Sequence, residues 1–271
     1  MGSYNLRGDR MNKVKKKMLN NEKPLGTFLV MATQSHVECM GEVGLDYVII
    51  DTEHGPYDTE NMINLIRGAE HANMTPFVRV ANADHKEIQR CLDQGAKGII
   101  VPMLNTIEDF KKVVSLAKYT PVGNRGFAGV RSNNYGYNED ISVDIEEFMG
   151  KCNDEILVMP QCETVDALEI IEKVVHLDGI DGIFVGPFDL SISLGVPVQF
   201  DHPKFLKAID RILSACKEAN KFAIIYTGSA QATKDAFAKG FDSVAYNIDA
   251  SVFIDGYKRE INEIQSLISD F

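Results

Sequence analysis

Eight short apolar runs, most of them separated by a segment with helical periodicity, constrain this chain more than any other feature. They fall at 26–31, 47–51, 76–80, 98–103, 156–161, 182–185, 222–227 and 243–247. The helix-like segments between them include 59–72, 86–94, 107–119, 165–175, 205–219 and 231–239. Gly95 and Gly240 follow two of these segments, at the place where glycine stops a helix. Strands that alternate with helices build βαβ units and a parallel sheet. Eight such units in about 250 residues predict a TIM (β/α)8 barrel. An open doubly wound sheet is the competing architecture. Against it, Met31-Ala32-Thr33-Gln34 follows the first run, where a dinucleotide fold would carry its glycine-rich turn.

The whole chain, 1–271, is expected to form a single barrel domain with helical additions at both ends. Residues 1–22 predict an N-terminal helical extension, whose Lys13, Lys15, Lys16 and Lys17 fit a solvated helix face. Residues 250–271 predict a further helix. Its Ile254, Ile261, Ile264 and Ile268 require a packing partner, and a neighbouring subunit is one candidate. Over fifty residues separate the fourth run from the fifth, including the glycine- and arginine-bearing stretch 123–131. On the βα side such an insertion either holds an anion or is a plain surface loop.

A net charge of -11 opposes a nucleic-acid surface, which needs clustered cations. No apolar stretch approaches a membrane span and no signal peptide opens the sequence. The five cysteines, Cys39, Cys91, Cys152, Cys162 and Cys216, show no zinc spacing and no CxxC. Reduced thiols in a cytoplasmic protein are expected. Cys162 has no local histidine that would make it a nucleophile.

In such barrels, chemistry sits at the C-terminal ends of strands. The second run ends in Ile49-Ile50-Asp51-Thr52-Glu53-His54-Gly55-Pro56, two acids and a histidine on an apolar strand. Ionisable groups there cost free energy unless they are paired or bind something. The other strand ends offer Arg79, Pro102, Gln161 with Glu163, Asp189 after Gly186-Pro187-Phe188, Tyr226 and Asn247. Glu163 and Asp189 together suit a hard cation such as magnesium or manganese. By position alone, Asp189 could equally cap the helix that begins near Leu190. His54 is the best general base, with Asp51 or Asp93 as the carboxylate that would orient it. Arg79 suits a substrate carboxylate or a developing oxyanion, with a structural salt bridge as the alternative. No lysine lies in or directly after any of the eight runs, which removes Schiff-base chemistry.

These residues in this order resemble the HpcH/HpaI aldolases, metal-dependent (class II) pyruvate aldolases. The resemblance runs from about Gly26 to the C-terminal helices. It is carried by 50–56, Val78-Arg79, Val101-Pro102-Met103, Gly123-Asn124-Arg125-Gly126, Gln161-Cys162-Glu163-Thr164 and 185–191. It implies a TIM barrel that binds a divalent cation through Glu163 and Asp189. Mg2+ or Mn2+ comes first, with Co2+ or Zn2+ as alternatives. It further implies Arg79 as the stabiliser of a pyruvate enolate, His54 as base with Asp93 as its acidic partner, and Asp51 beside them. Gln161 and the backbone around Gly186, Pro187 and Phe188 would hold pyruvate. The implied reaction reversibly cleaves a 4-hydroxy-2-oxo acid, of sugar-acid or diacid type, to pyruvate and an aldehyde through the metal-stabilised enolate. The resemblance also implies a homohexamer that swaps C-terminal helices. Phe28, Tyr226 and Asn247 depart from common family residues and are expected on the aldehyde side. Oxaloacetate decarboxylation, acyl-CoA lyase chemistry and a non-catalytic ligand-binding barrel are the competing functions.

Overall fold

The computed structural model describes residues 12–269. The expected extension 1–22 therefore lies partly outside the described residues. Eight parallel strands close a barrel in chain order: β1 Leu25–Leu29, β2 Tyr47–Asp51, β3 Thr75–Arg79, β4 Gly98–Val101, β5 Leu157–Cys162, β6 Gly182–Val185, β7 Phe222–Thr227 and β8 Ser243–Ile248. The last strand pairs with the first, with a register shift between Gly26 and Phe28. The helices, in chain order, are α1 Lys13–Leu19, α2 Gln34–Gly41, α3 Thr59–His71, α4 His85–Asp93, α5 Ile107–Ala117, α6 Glu139–Val143, α7 Ile145–Glu155, α8 Val165–Glu169, α9 Ile171–Val175, α10 Pro187–Ser193, α11 Pro203–Glu218, α12 Ala230–Lys239 and α13 Asp249–Ile268. The expected helix 165–175 is thus broken in two at Ile170. Gly95 and Gly240 take left-handed φ of 108° and 111°, as helix stops do.

Side chains alternate between the two faces of a strand, which divides the core in two. Val48, Ile50, Val78, Ile99, Val158 and Val185 face outward and pack under the helices. Tyr47, Ile49, Phe77, Ile100, Leu157, Met159, Phe184 and Ile224 fill the barrel interior. Extending this parity by one inward position along β2, β3, β5 and β7 brings Asp51, Arg79, Gln161 and Tyr226 to the C-terminal mouth. Cys162 has the opposite parity. It is buried among apolar neighbours that push its thiol up to about 12, so it is inert.

The other end of the barrel is closed. Val14 and Met18 of α1 belong to the interior cluster. Around them, Asn12 Nδ2 donates to Lys97 O at 2.8 Å and Glu155 O at 3.1 Å. Lys15 pairs with Asp181 at 3.1 Å and Lys17 with Asp46 at 2.5 Å, both acids preceding a strand.

The long insertion corrects one expectation. It follows α5, so it leaves from the end where strands begin rather than from the mouth. Its two arginines are occupied there. Arg125 is buried, pairs with Asp93 at 2.8 Å and stacks 4.7 Å from the Tyr119 ring. Arg131 donates to Gln94 O at 2.6 Å and pairs with Glu70. The stretch 123–131 thus straps the C-terminal ends of α3 and α4. Helix α13 follows β8, and Val252, Phe253, Ile254, Ile261, Ile264 and Leu267 are exposed along it. Among the described residues no helix is long and apolar enough to cross a membrane.

The α1 stopper should be measurable. Met18→Ala is expected to lower unfolding free energy by about 3 kcal/mol, the usual cost of emptying a buried methionine site. Urea denaturation followed by far-ultraviolet circular dichroism checks this, and an unchanged midpoint would contradict the interior packing of α1.

Candidate active site

At the mouth the most constrained group is Asp51, which is 1% exposed. Its carboxylate accepts Arg79 Nε at 2.9 Å and Arg79 Nη2 at 2.6 Å, a fork-on-fork pair between adjacent strands. It also accepts the backbone N–H groups of Glu53 at 3.1 Å and His54 at 3.3 Å. One side chain therefore fixes both the arginine and the turn that carries the histidine. Three of these four bonds converge on Oδ1, and the imidazole of His54 is not among the donors. Desolvation works against the charge on Arg79, but the Asp51 hydrogen bonds and the nearby acids hold its pKa above the usual value.

The His54 ring is 68% exposed, and its Nε2 lies 3.9 Å from Glu53 Oε2. Glu53 Oε2 is also 3.1 Å from Arg79 Nη1, without the alignment of a hydrogen bond. Burial raises the Glu53 pKa, opposed by Arg79 and His54. Asp93 is not at the mouth. It ends α4 at the far end of the barrel, paired with Arg125, so a single chain does not bring it to His54. The acid beside the ring is Glu53, its neighbour in sequence.

Glu163 lies one residue past β5 with inward parity and is 3% exposed. Its Oε1 accepts Met103 N at 2.6 Å, and its Oε2 accepts Gln161 Nε2. Met103 adopts a left-handed φ of 57° beside it, a local contact that a residue-by-residue scan does not reveal. Gln161 Oε1 is buried and has no donor. Gly186 closes over this group: a Cβ there would stand 2.7 Å from Gln161 Nε2 and 3.1 Å from Glu163 Oε2. Only glycine lets the β6–α10 turn approach this closely. Asp189 is exposed in the first turn of α10. The cap position is taken by Gly186, and no side chain makes a capping bond there, so Asp189 is free of that duty.

Glu163 and Asp189 have no ion-pair partner among the described residues. Burial pushes Glu163 up to about 7, and repulsion from Glu53 and Asp189 adds to it. Two uncompensated carboxylates beside a buried amide oxygen without a donor fit a hard cation. Among the described residues no group of three or more His, Cys, Asp or Glu side chains is placed to hold a metal ion, so the rest of such a sphere would come from water and substrate oxygens. A cavity of about 300 Å3 opens at the mouth; Phe28, His54, Arg79, Gln161, Gly186, Pro187, Phe188, Asp189 and Tyr226 all line it.

The sign of the pH dependence follows from Glu163. Its pKa is raised above 4.5, so in the metal-free protein its stabilisation is complete below about 4.5 and is lost as pH rises through about 7. A dication competes with that proton. Mn2+ affinity should therefore fall as pH drops below about 7 and level off above it, as titration by electron paramagnetic resonance would reveal. Constant affinity from about pH 8 to about pH 6 would contradict the assignment.

Comparison with known proteins is consistent with this geometry. Residues 25–256 match the HpcH/HpaI aldolase/citrate lyase family. A 2-keto-3-deoxy-L-rhamnonate aldolase of Klebsiella pneumoniae is 30% identical over 257 residues, 94% of each chain. The crystal structure of an HpcH/HpaI aldolase from Desulfitobacterium hafniense is 30% identical, with a TM-score of 0.84 over 93% of this chain and 96% of that one. A citrate synthase structure is 26% identical, with a TM-score of 0.82 over 93% and 97% of the two chains.

Proposed function

We propose a pyruvate-enolate aldol reaction for this chain, which belongs to the HpcH/HpaI aldolase/citrate lyase family. It is a carbon–carbon lyase of the aldolase type acting on a small molecule. The substrate is a 4-hydroxy-2-oxo acid, cleaved reversibly to pyruvate and an aldehyde. The observation that carries this reading is the pairing, at one barrel mouth, of an arginine fixed by Asp51 with two carboxylates that lack a cation.

Glu163 and Asp189 would hold a divalent cation, Mg2+ or Mn2+ in our reading, which would supply Lewis-acid stabilisation of the enolate. Arg79 keeps N–H groups free after satisfying Asp51, and these receive the negative charge that develops on the former keto oxygen. Gln161 and the backbone at Gly186 hold the pyruvyl end. His54 takes the proton of the C4 hydroxyl. The O–H electrons form the aldehyde carbonyl, the C3–C4 bond breaks, and its electron pair enters the enolate. A proton delivered to C3 then gives pyruvate. Glu53 beside the ring stabilises the imidazolium formed in the first step.

The exposed apolar residues of α13 support a homo-oligomer, in our reading a hexamer with exchanged C-terminal helices. The thiols of Cys39, Cys91, Cys162 and Cys216, none of them in a disulfide, support a cytoplasmic location.

Two experiments test the reaction. Glu163→Ala and Asp189→Ala should each abolish metal-stimulated cleavage while circular dichroism stays native. Full activity in excess EDTA would overturn the role of the cation. His54→Ala should slow cleavage by roughly a hundredfold or more, the usual contribution of a general base, with Mn2+ affinity retained. Cleavage at the native rate in this variant would remove His54 from the chemistry.

A further inference from the structure

The cavity has two unlike halves. One holds Arg79, Gln161 and Asp189, with Glu163 beneath Gly186. The other is a wall of rings. Phe28 lies 5.8 Å from Phe184 and 6.0 Å from Tyr226, centroid to centroid, and Phe188 lies 5.8 Å from Tyr226. Ile248 completes the wall. Phe28 marks the border, because the Arg79 guanidinium carbon lies 4.9 Å from its ring centroid.

Charge is distributed as unevenly as shape. Among the described residues that line the cavity, Arg79 carries the one permanent positive charge, and it is gripped by Asp51 and flanked by Glu53. No cation stands on the ring wall. Its polar atom, Tyr226 Oη, donates to Asn247 Oδ1 at 3.4 Å. Asp189 faces the same space.

We propose that the aldehyde partner of this enzyme is short and uncharged, with its carbon end laid against Phe28, Phe188 and Tyr226, and that aldehydes ending in a carboxylate are disfavoured. The proposal rests on the pyruvate-aldolase reading, which assigns pyruvate to the Arg79–Gln161–Glu163 end and leaves the ring wall for the other product. An alkyl or methyl end buries apolar surface against the rings. A second carboxylate would lose water against the rings, where no lysine or arginine of the described residues other than Arg79 stands to pair with it. The sugar-acid type of substrate is thereby favoured over the diacid type.

The test uses the full-length enzyme with Mn2+ and pyruvate. Exchange of pyruvate methyl protons in D2O, without any aldehyde, reports enolate formation by itself; if it is absent, the pyruvate-aldolase reading falls. With exchange present, kcat/KM for condensation is compared for butanal and succinic semialdehyde, which have equal carbon counts. The expected ratio favours butanal by at least about tenfold. A ratio near one, a preference for the semialdehyde, or turnover of neither aldehyde overturns the proposal. Phe188→Arg, at a position 44% exposed and so tolerant of a cation, should shift the ratio toward the semialdehyde by about tenfold. A folded variant that still exchanges pyruvate protons but keeps the native ratio would also count against it.

Discussion

The mouth of this barrel depends on one buried ion pair, Asp51 with Arg79. Register makes it possible: the two residues are direct partners across β2 and β3, and both point inward. A buried pair of charges survives only when its remaining hydrogen-bonding capacity is met. Here Asp51 meets it through the N–H groups of Glu53 and His54. The turn after β2 is consequently folded around the same carboxylate that fixes the arginine. Loss of Asp51 would release two functional groups at once, so its effect would exceed that of a single contact.

Much of this arrangement is legible in the sequence because parity and position are properties of single strands. The eight apolar runs correspond to the eight strands with end shifts of a residue or two, and the C-terminal ends carry Asp51, Arg79, Gln161 and Glu163. Contacts that depend on three-dimensional neighbours are a different matter. Asp93 is an acid near the right strand by number, yet α4 carries it to the opposite end of the barrel and Arg125 claims it. The insertion shares its cause. A chain that has passed through one helix has already returned to the end where strands begin, so the glycines and arginines of 123–131 meet helix ends rather than substrate. The Glu53–His54 proximity was present in the sequence as simple adjacency, but a turn, not a helix or strand, sets it.

Electrostatically, the site keeps its negative and positive groups unequal. Arg79 is overmatched by Asp51 and Glu53, while Glu163 and Asp189 have no ion-pair partner among the described residues. An acidic surplus in a part-buried cavity raises carboxylate pKa values and favours a doubly charged ion over a singly charged side chain. The aromatic side contributes no charge of either sign. Similar electrostatics can serve both carbon–carbon cleavage and carbon–carbon ligation, which accommodates a 26%-identical citrate synthase in the same family of shapes.

The α1 stopper has a kinetic consequence. With side chains filling the barrel interior and Val14 and Met18 covering its far end, the described residues leave the mouth as the way to the site. Molecules enter and leave in file. In the proposed reaction the pyruvyl end would take the deeper position by Gln161 and Glu163, and the aldehyde the outer one by Phe188. Departure would then be ordered: the aldehyde would go first, and pyruvate would follow through the space it vacates. In the reverse direction pyruvate would board first, and an aldehyde that arrived early would block the way.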